Sequence, residues 1–147
     1  MKIIANFLLF FLLFNCCSSN KRDFELCSGK KHPYYHPNLE YSGGFHEIKK
    51  HFYDNYKDIG VPNDTGIVKI RFNVNCKGES GDFYTETYNL DYKGITIDEK
   101  VTKQLLDLTK TLNDWIPAYN EDGNSINSHK FFAFKIVNGK LIDILPK

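Results

Sequence analysis

The most reactive side chains in this sequence belong to four cysteines and five histidines. Cys27, His32 and His36 lie close together, and thiolate and imidazole groups are ligands that Zn²⁺ prefers. Pro33, however, prevents a regular helix from aligning the two imidazoles, and no fourth ligand stands nearby. We therefore expect solvated histidines here, and a small envelope enzyme or metal-binding protein that uses Cys27, His32 and His36 is the alternative interpretation.

Familiar catalytic motifs are absent from the sequence. It contains neither a nucleophile elbow, nor a phosphate-binding glycine loop, nor a zincin helix, and its carboxylates are scattered. The loop that begins at Asn120 offers oxygen ligands, but Phe131 occupies the twelfth position, where a calcium loop needs Glu. We therefore predict a protein without enzyme activity, cofactor or bound metal.

Two of the cysteines, Cys16 and Cys17, follow the apolar run 3–14, which begins after a single lysine. The run is typical of a secretory signal, and it is shorter than the roughly 20 residues that span a bilayer. Because it ends at a cysteine and precedes polar residues, it resembles a bacterial lipoprotein signal. The resemblance implies that residues 1–15 are removed and that Cys16 is acylated; an ordinary cleaved signal or a short uncleaved anchor is the alternative.

The other two cysteines are separated along the chain. If Cys16 carries lipid, Cys27 and Cys76 are the natural disulfide pair, and the bridge would stabilise the fold by roughly 4 kcal/mol through loop closure. Otherwise Cys76 is a small apolar core residue at the end of a strand. The cysteine usage fits a protein that functions outside the cytosol.

The composition limits the classes of partner. The chain has 147 residues, 41% of them hydrophobic, which suits one domain with a single modest core. Its 19 Lys+Arg and 18 Asp+Glu give a formal net charge of +1, and the aromatic residues do not cluster with basic runs. Nucleic acid is therefore not an expected partner.

Two amphipathic helices are predicted from apolar residues that recur every three or four positions. The first begins near Gly44, with Ser42 as a candidate cap, and its apolar face consists of Phe45, Ile48, Phe52 and Tyr56. The second begins at a candidate capping box, Thr96 with Glu99. Its apolar face consists of Ile97, Val101, Leu105, Leu108 and Leu112.

Four strands are predicted from alternating apolar and polar residues. The clearest begins at Gly66, and its apolar face consists of Val68, Ile70, Phe72, Val74 and Cys76. After a turn at 77–81, residues 82–92 complete an antiparallel hairpin. Strands at 130–137 and 141–145 are joined by Asn138-Gly139, a strong hairpin signal. The predicted fold class is α+β, with two layers in which an antiparallel sheet packs against two helices.

Several features follow one another between residues 43 and 147: two glycines before a helix, a hairpin turn at Lys77-Gly78, a leucine-rich helix, Trp115-x-Pro117, and a phenylalanine-rich strand. This order resembles that of the TonB C-terminal domain family. The resemblance implies a two-layer α+β module that binds in the periplasm. Energy-transducing members of the family pair an exposed strand with a short segment of outer-membrane transporters, which is β-augmentation.

The resemblance places the docking strand at 130–137 or at the strand that follows it. The binding residues that it implies are Lys130, Phe132, Phe134, Ile136, Leu141 and Asp143. A transducer also needs a polar Ser and His in its anchor and a long proline-rich spacer. The apolar run has neither residue, and the lipid-anchored tether, 16–42, reaches at most roughly 85 Å beyond Cys16.

We therefore do not expect energy transduction. The expected function is that of a non-enzymatic binding or scaffolding module, anchored in the cell envelope by lipid, on the outer membrane or facing the periplasm. Its expected partner is another envelope protein, such as an outer-membrane transporter.

We expect Cys16→Ala to release the protein from membranes or to block its processing, because acyl chains supply about 0.8 kcal/mol of binding per buried methylene. Membrane flotation and intact mass spectrometry measure the two outcomes. Cys17→Ala is the matched control and should change neither. A Cys16→Ala protein that still floats at unchanged mass contradicts the lipoprotein assignment.

Overall fold

The computed structural model describes residues 23–27 and 38–146, and these residues form the predicted α+β fold. Its elements are β1 (Glu40–Tyr41), α1 (Gly44–Asn55), β2 (Gly66–Val74), β3 (Ser80–Tyr88), α2 (Glu99–Lys110), β4 (Trp115–Ile116), β5 (Ser128–Val137) and β6 (Lys140–Leu145). The predicted signal peptide, Cys16, His32 and His36 lie outside the described residues. Neither helix of this described part is long and apolar enough to be a candidate membrane span.

A four-stranded antiparallel sheet, in the order β3-β2-β5-β6, forms one layer, and the two helices form the other. β2 pairs with β3 on one side and with β5 along its whole length on the other. One side of β2 is buried through Val68, Ile70 and Phe72, and Phe132 and Phe134 of β5 are buried beside them. The predicted two-layer arrangement is therefore confirmed.

Helix α1 packs through Ile48 and Phe52, which are buried as their spacing predicts. Ser42 is not its cap, because Gly43 occupies the N-cap position with a φ of 78° and makes no side-chain cap bond. The Ser42 N–H instead donates to the Asp114 carbonyl, 2.9 Å away. This bond ties the start of α1 to the segment before β4.

Helix α2 is capped by Asp98, whose carboxylate accepts from the Lys100 N–H at 2.8 Å. The predicted capping box at Thr96 is therefore wrong. Ile97 turns into the core before the helix begins, and it leaves Thr96 exposed to solvent. The helix therefore begins two residues later than the capping box predicts, because Ile97 is buried in the core before the first turn.

The buried face of α2 is rotated slightly from the predicted one. Val101, Leu105 and Leu112 are buried as expected, but Leu108 is only partly buried. Thr109 lies in the core at 0% exposure, and its hydroxyl donates to the Leu105 carbonyl at 2.7 Å. Because that bond satisfies the hydroxyl, Thr109 can be buried in the core, where the leucine spacing predicts Leu108.

The folded part of the chain begins before residue 43. Leu39 is buried at 7% exposure, and β1 pairs with β4. The Tyr41 ring meets the Trp115 ring edge to face, with centroids 5.0 Å apart. Residues 38–42, which were expected in the tether, therefore belong to the domain.

Three five-residue loops in the described chain share one pattern of internal hydrogen bonds, and each begins with an asparagine: Asn75, Asn89 and Asn120. The asparagine Oδ1 accepts from the backbone N–H groups two and four residues later, at 2.9–3.1 Å. The fourth residue of each loop has a positive φ. The loop at 120–124 is thus a turn rather than a calcium loop, because its leading oxygen already accepts two backbone N–H groups.

We expect Leu105→Ala to lower the free energy of unfolding by about 2–5 kcal/mol, because it removes fully buried methylenes and leaves a cavity. Denaturant titration followed by circular dichroism measures the loss. Leu108→Ala is the matched control, and its loss should be clearly smaller since Leu108 is partly exposed. Equal losses would contradict the helix orientation described above.

Candidate functional site

β5, the strand expected to dock a partner, lies inside the sheet. It pairs with β2 along residues 128–136 and with β6 along residues 133–137, because the Asn138-Gly139 turn folds β6 back against it. Phe132, Phe134 and Ile136 are fully buried. The prediction that these three residues belong to an exposed edge strand is therefore wrong, and they are core residues.

The remaining predicted binding residues also make contacts within the domain. Lys130 is opposite Phe72, on the helix-facing side of the sheet, and burial lowers the pKa of its ammonium group. Leu141 is partly buried and packs against the core. Asp143, on β6, forms an ion pair with Lys49 of α1 at 2.9 Å. None of the three projects as a ready contact for a partner strand.

Backbone groups of β6, the outer strand beside β5, are already satisfied by side chains. The Ile142 carbonyl accepts from the Tyr53 hydroxyl at 3.2 Å, and the Ile144 N–H donates to the Asp143 carboxylate at 2.8 Å. A β-bulge also interrupts the pairing of β6 with β5. Bulges and charged groups of this kind protect edge strands from further pairing. This edge is better protected than the sequence indicated.

β3, the outer strand on the opposite side, is contacted near both of its ends. The Phe24 ring lies against Gly81, so that a methyl group at Gly81 would overlap the ring. At the far end, the Ile95 N–H donates to the Thr87 carbonyl at 3.2 Å. A strand that added along the whole of β3 would have to displace the backbone contact at Thr87.

Residues 23–27, which we call the arm, are fixed to the domain by covalent and polar contacts. Cys27 and Cys76 form a disulfide, with their Cα atoms 5.9 Å apart. The Asn127 side chain accepts from the Cys27 N–H at 3.0 Å and donates to the Cys27 carbonyl at 2.9 Å. The Asn75 amide donates to the Glu25 carbonyl at 2.9 Å. The arm is therefore part of the folded unit.

The disulfide also bears on the metal-site alternative. Cys27 has no thiolate to offer a metal ion while it is bonded to Cys76. Within residues 23–27 and 38–146, no group of three or more His, Cys, Asp or Glu side chains could hold a metal ion. A site built on Cys27 with His32 and His36 therefore lacks its sulfur ligand.

The side of the sheet that faces away from the helices carries an unusual set of side chains for a solvated surface. We call it the open face. In the central three rows, each side chain is exposed or partly exposed: Tyr84, Arg71 and Phe131, then Glu86, Lys69 and Ala133, then Tyr88, Ile67 and Lys135. A solvated face of an antiparallel sheet is normally polar. This one combines aromatic rings with cations.

The rings and cations of the open face contact one another. The Arg71 guanidinium lies 4.8 Å from the centroid of the Tyr84 ring, and the Lys69 ammonium lies 5.2 Å from that of Phe131. Arg71 also forms an ion pair with Glu86 at 3.2 Å. These contacts hold the long side chains in place and so restrict their rotamer freedom on the sheet surface.

The open face is not predicted from the sequence, because the TonB resemblance implies docking at a sheet edge. The alternation in β2 does place Lys69 and Arg71 on the polar side, away from the core. Tyr84 and Phe131 join them only through the lateral pairing of β3 and β5 with β2. Since Phe131 and Phe132 are neighbours in the sequence, the register alone decides which of them faces solvent.

Comparison of the chain with protein-family models, with curated proteins and with solved structures finds no match in any of the three.

We expect Gly81→Ala to destabilise the protein by about 1–3 kcal/mol, because the new methyl group overpacks against the Phe24 ring. Phe24→Gly combined with Gly81→Ala removes the Phe24 atoms that the new methyl group would overlap, and should recover part of the loss. Thermal and denaturant unfolding of the two single variants and the double variant form a double-mutant cycle. Strict additivity of the two changes would contradict the contact between the arm and β3.

Proposed function

We propose that this chain is a non-enzymatic, envelope-anchored binding module that docks a partner protein on the open face of its sheet. The observation that carries the proposal is the combination of exposed aromatic rings and ordered cations on the side away from the helices. The apolar run before Cys16 supports a location in the cell envelope, on the outer membrane or facing the periplasm. Another envelope protein, such as an outer-membrane transporter, is the proposed partner.

The side chains of the open face suit protein recognition better than catalysis. Tyrosine and arginine are enriched among the residues that dominate binding energy, because they combine a large contact area with polar groups. Tyr84 is 56% exposed and is already ordered against Arg71. Its central rows hold two carboxylates, and both are engaged: Glu86 by Arg71, and Asp143 of β6 by Lys49. A partner would therefore find a preformed contact surface rather than an acid–base pair.

The charged groups of the open face are nearly balanced in sign. Lys69, Arg71 and Lys135 lie on it with two carboxylates, Glu86 on β3 and Asp143, which is opposite Lys135 on β6. Acidic groups of a partner that lie opposite Lys69 and Lys135 would complement these two cations.

Strand docking, the mode that the TonB resemblance implies, has less support than face docking. β5 is paired on both sides, and the outer strands β3 and β6 have neighbours along part of their length. The open face needs no such displacement to receive a partner. The two modes predict different sensitive residues, which makes them distinguishable.

We expect the double change Lys69→Glu and Lys135→Glu to reduce recovery of the partner about tenfold, equivalent to about 1.4 kcal/mol of binding energy. Affinity capture from the protein's own membranes with quantitative mass spectrometry measures the recovery. Lys50→Glu with Lys100→Glu, on the exposed surfaces of the two helices, is the charge-matched control. Equal recovery from both double variants would contradict docking on the open face.

A second variant separates face docking from strand docking. Ile142→Pro changes β6 where the strand is already bulged and removes a backbone donor there. If docking uses the open face, a folded Ile142→Pro protein should retain the partner. Loss of the partner from that folded variant, with recovery by the lysine variants intact, would establish strand addition at β6 instead.

A further inference from the structure

The loop that begins at Asn89 differs from the other two asparagine-led loops at one position. All three loops have the same internal hydrogen bonds, and the fourth residue of each has a positive φ. That residue is Gly78 in the first loop and Gly123 in the third, but it is Tyr92 in this one, with a φ of 60°. Glycine adopts this conformation without a steric penalty, whereas a bulky side chain there is an outlier. The loop therefore carries a strained residue where glycine would serve.

Tyr92 is also the most exposed of the large apolar side chains in the described part of the chain, at 72%. Leu90, in the same loop, is 48% exposed. Neither side chain belongs to the core or packs against it, and the hydrogen bonds within the loop come from backbone groups and from the Asn89 amide. Packing within the domain therefore does not account for a tyrosine at this position. Backbone strain of this kind is concentrated at functional sites.

The loop holds the backbone of Tyr92 in one conformation. The Asn89 side chain accepts from the backbone N–H groups of the residues before and after Tyr92, both at 2.9 Å. The Tyr92 N–H donates to the Asn89 carbonyl at 3.1 Å. Below the loop, Thr87 and Ile95 are joined by two hydrogen bonds. The backbone that carries Tyr92 is therefore ordered before any partner arrives, and such preorganisation favours binding to a shaped site.

A protein pocket suits this arrangement better than a lipid surface. Tyrosine is common at membrane interfaces, but a fluid bilayer imposes no fixed backbone conformation on it. A pocket has one shape, and tyrosine fills it with a large ring and one hydrogen-bonding hydroxyl. Asp91 and Lys93, on either side of Tyr92, carry opposite charges. The side chains of the loop therefore provide no net attraction to anionic headgroups.

We infer that Tyr92 is the anchor residue with which this chain selects its partner protein, and that the partner carries a preformed pocket for a tyrosine ring. The inference rests on the proposed function in one respect, which is that the occupant is a docked protein. The loop begins directly after Tyr88 of the open face, so that a protein on that face can extend to the loop.

Thermal stability separates an anchor from a structural residue. Tyr92→Gly gives this loop the glycine of the other two, and we expect it to melt at or above the wild-type temperature, since the strain is removed. Gly123→Tyr is the reciprocal variant. A β-carbon at Gly123 would meet no atom within 4 Å, so the positive φ is the main penalty, and we expect melting about 3–8 °C lower. A lower melting temperature for Tyr92→Gly, or an unchanged one for Gly123→Tyr, would overturn the inference.

Binding is tested with the full chain in the protein's own membranes. We expect Leu90→p-benzoylphenylalanine, irradiated there, to cross-link to a partner protein. Adding Tyr92→Gly should reduce that product at least tenfold, whereas Tyr92→Phe, which keeps the ring, should retain most of it. A product that Tyr92→Gly leaves unchanged, equal losses from the two variants, or cross-linking to lipid only would overturn the inference. The same photoreactive residue at Tyr119, which is exposed outside the loop, is the control for nonspecific capture.

The outcomes also separate the inference from the proposal on which it rests. Recovery of the partner that falls with the Lys69→Glu and Lys135→Glu double variant but not with Tyr92→Gly overturns the inference alone. Recovery that falls with neither overturns the proposed function and the inference together. Recovery that falls with Tyr92→Gly alone supports the anchor and contradicts docking on the open face.

Discussion

The burial of one side of β2 determines where the other described elements lie. This strand pairs along both edges, so its position fixes β3 on one side and β5 on the other. Val68, Ile70 and Phe72 must be kept from water, and the two helices cover them. Because successive residues of a strand point to opposite faces, the same constraint turns Lys69 and Arg71 towards solvent. The core and the open face are thus two consequences of one alternating pattern.

The parts of the fold that depend on local patterns could be predicted from the sequence. Alternation located β2, the Asn138-Gly139 pair located the hairpin before β6, and leucine spacing located α2. The details that failed depend on distant contacts. The caps of both helices changed because Gly43 and Asp98, rather than Ser42 and Thr96, meet the geometry that packing imposes. Several residues near the start of each helix could act as its N-cap, and tertiary contacts determine which of them does.

The candidate site could not be predicted for a related reason. A sheet surface is assembled from residues on different strands, and its composition depends on strand order and register. The sequence indicated four strands but not that β5 lies between β2 and β6. That order buries Phe132 and places Phe131 beside Lys69 on the open face. The hydrogen bonds between Asn127 and Cys27 join residues 100 positions apart, and no local sequence pattern predicts them.

Of the three loops led by asparagine, the one at Asn75 couples two parts of the molecule thermodynamically. In the other two, the amide oxygen organises a turn that is complete in itself. At Asn75 the oxygen organises the β2–β3 turn, while the Nδ2 group of the same amide donates to the Glu25 carbonyl and the Glu79 carboxylate. A fluctuation that opens this turn must therefore also weaken the hold on the arm. Turn and arm should exchange their amide protons with solvent as one cooperative unit, whereas the loops at Asn89 and Asn120 can open independently.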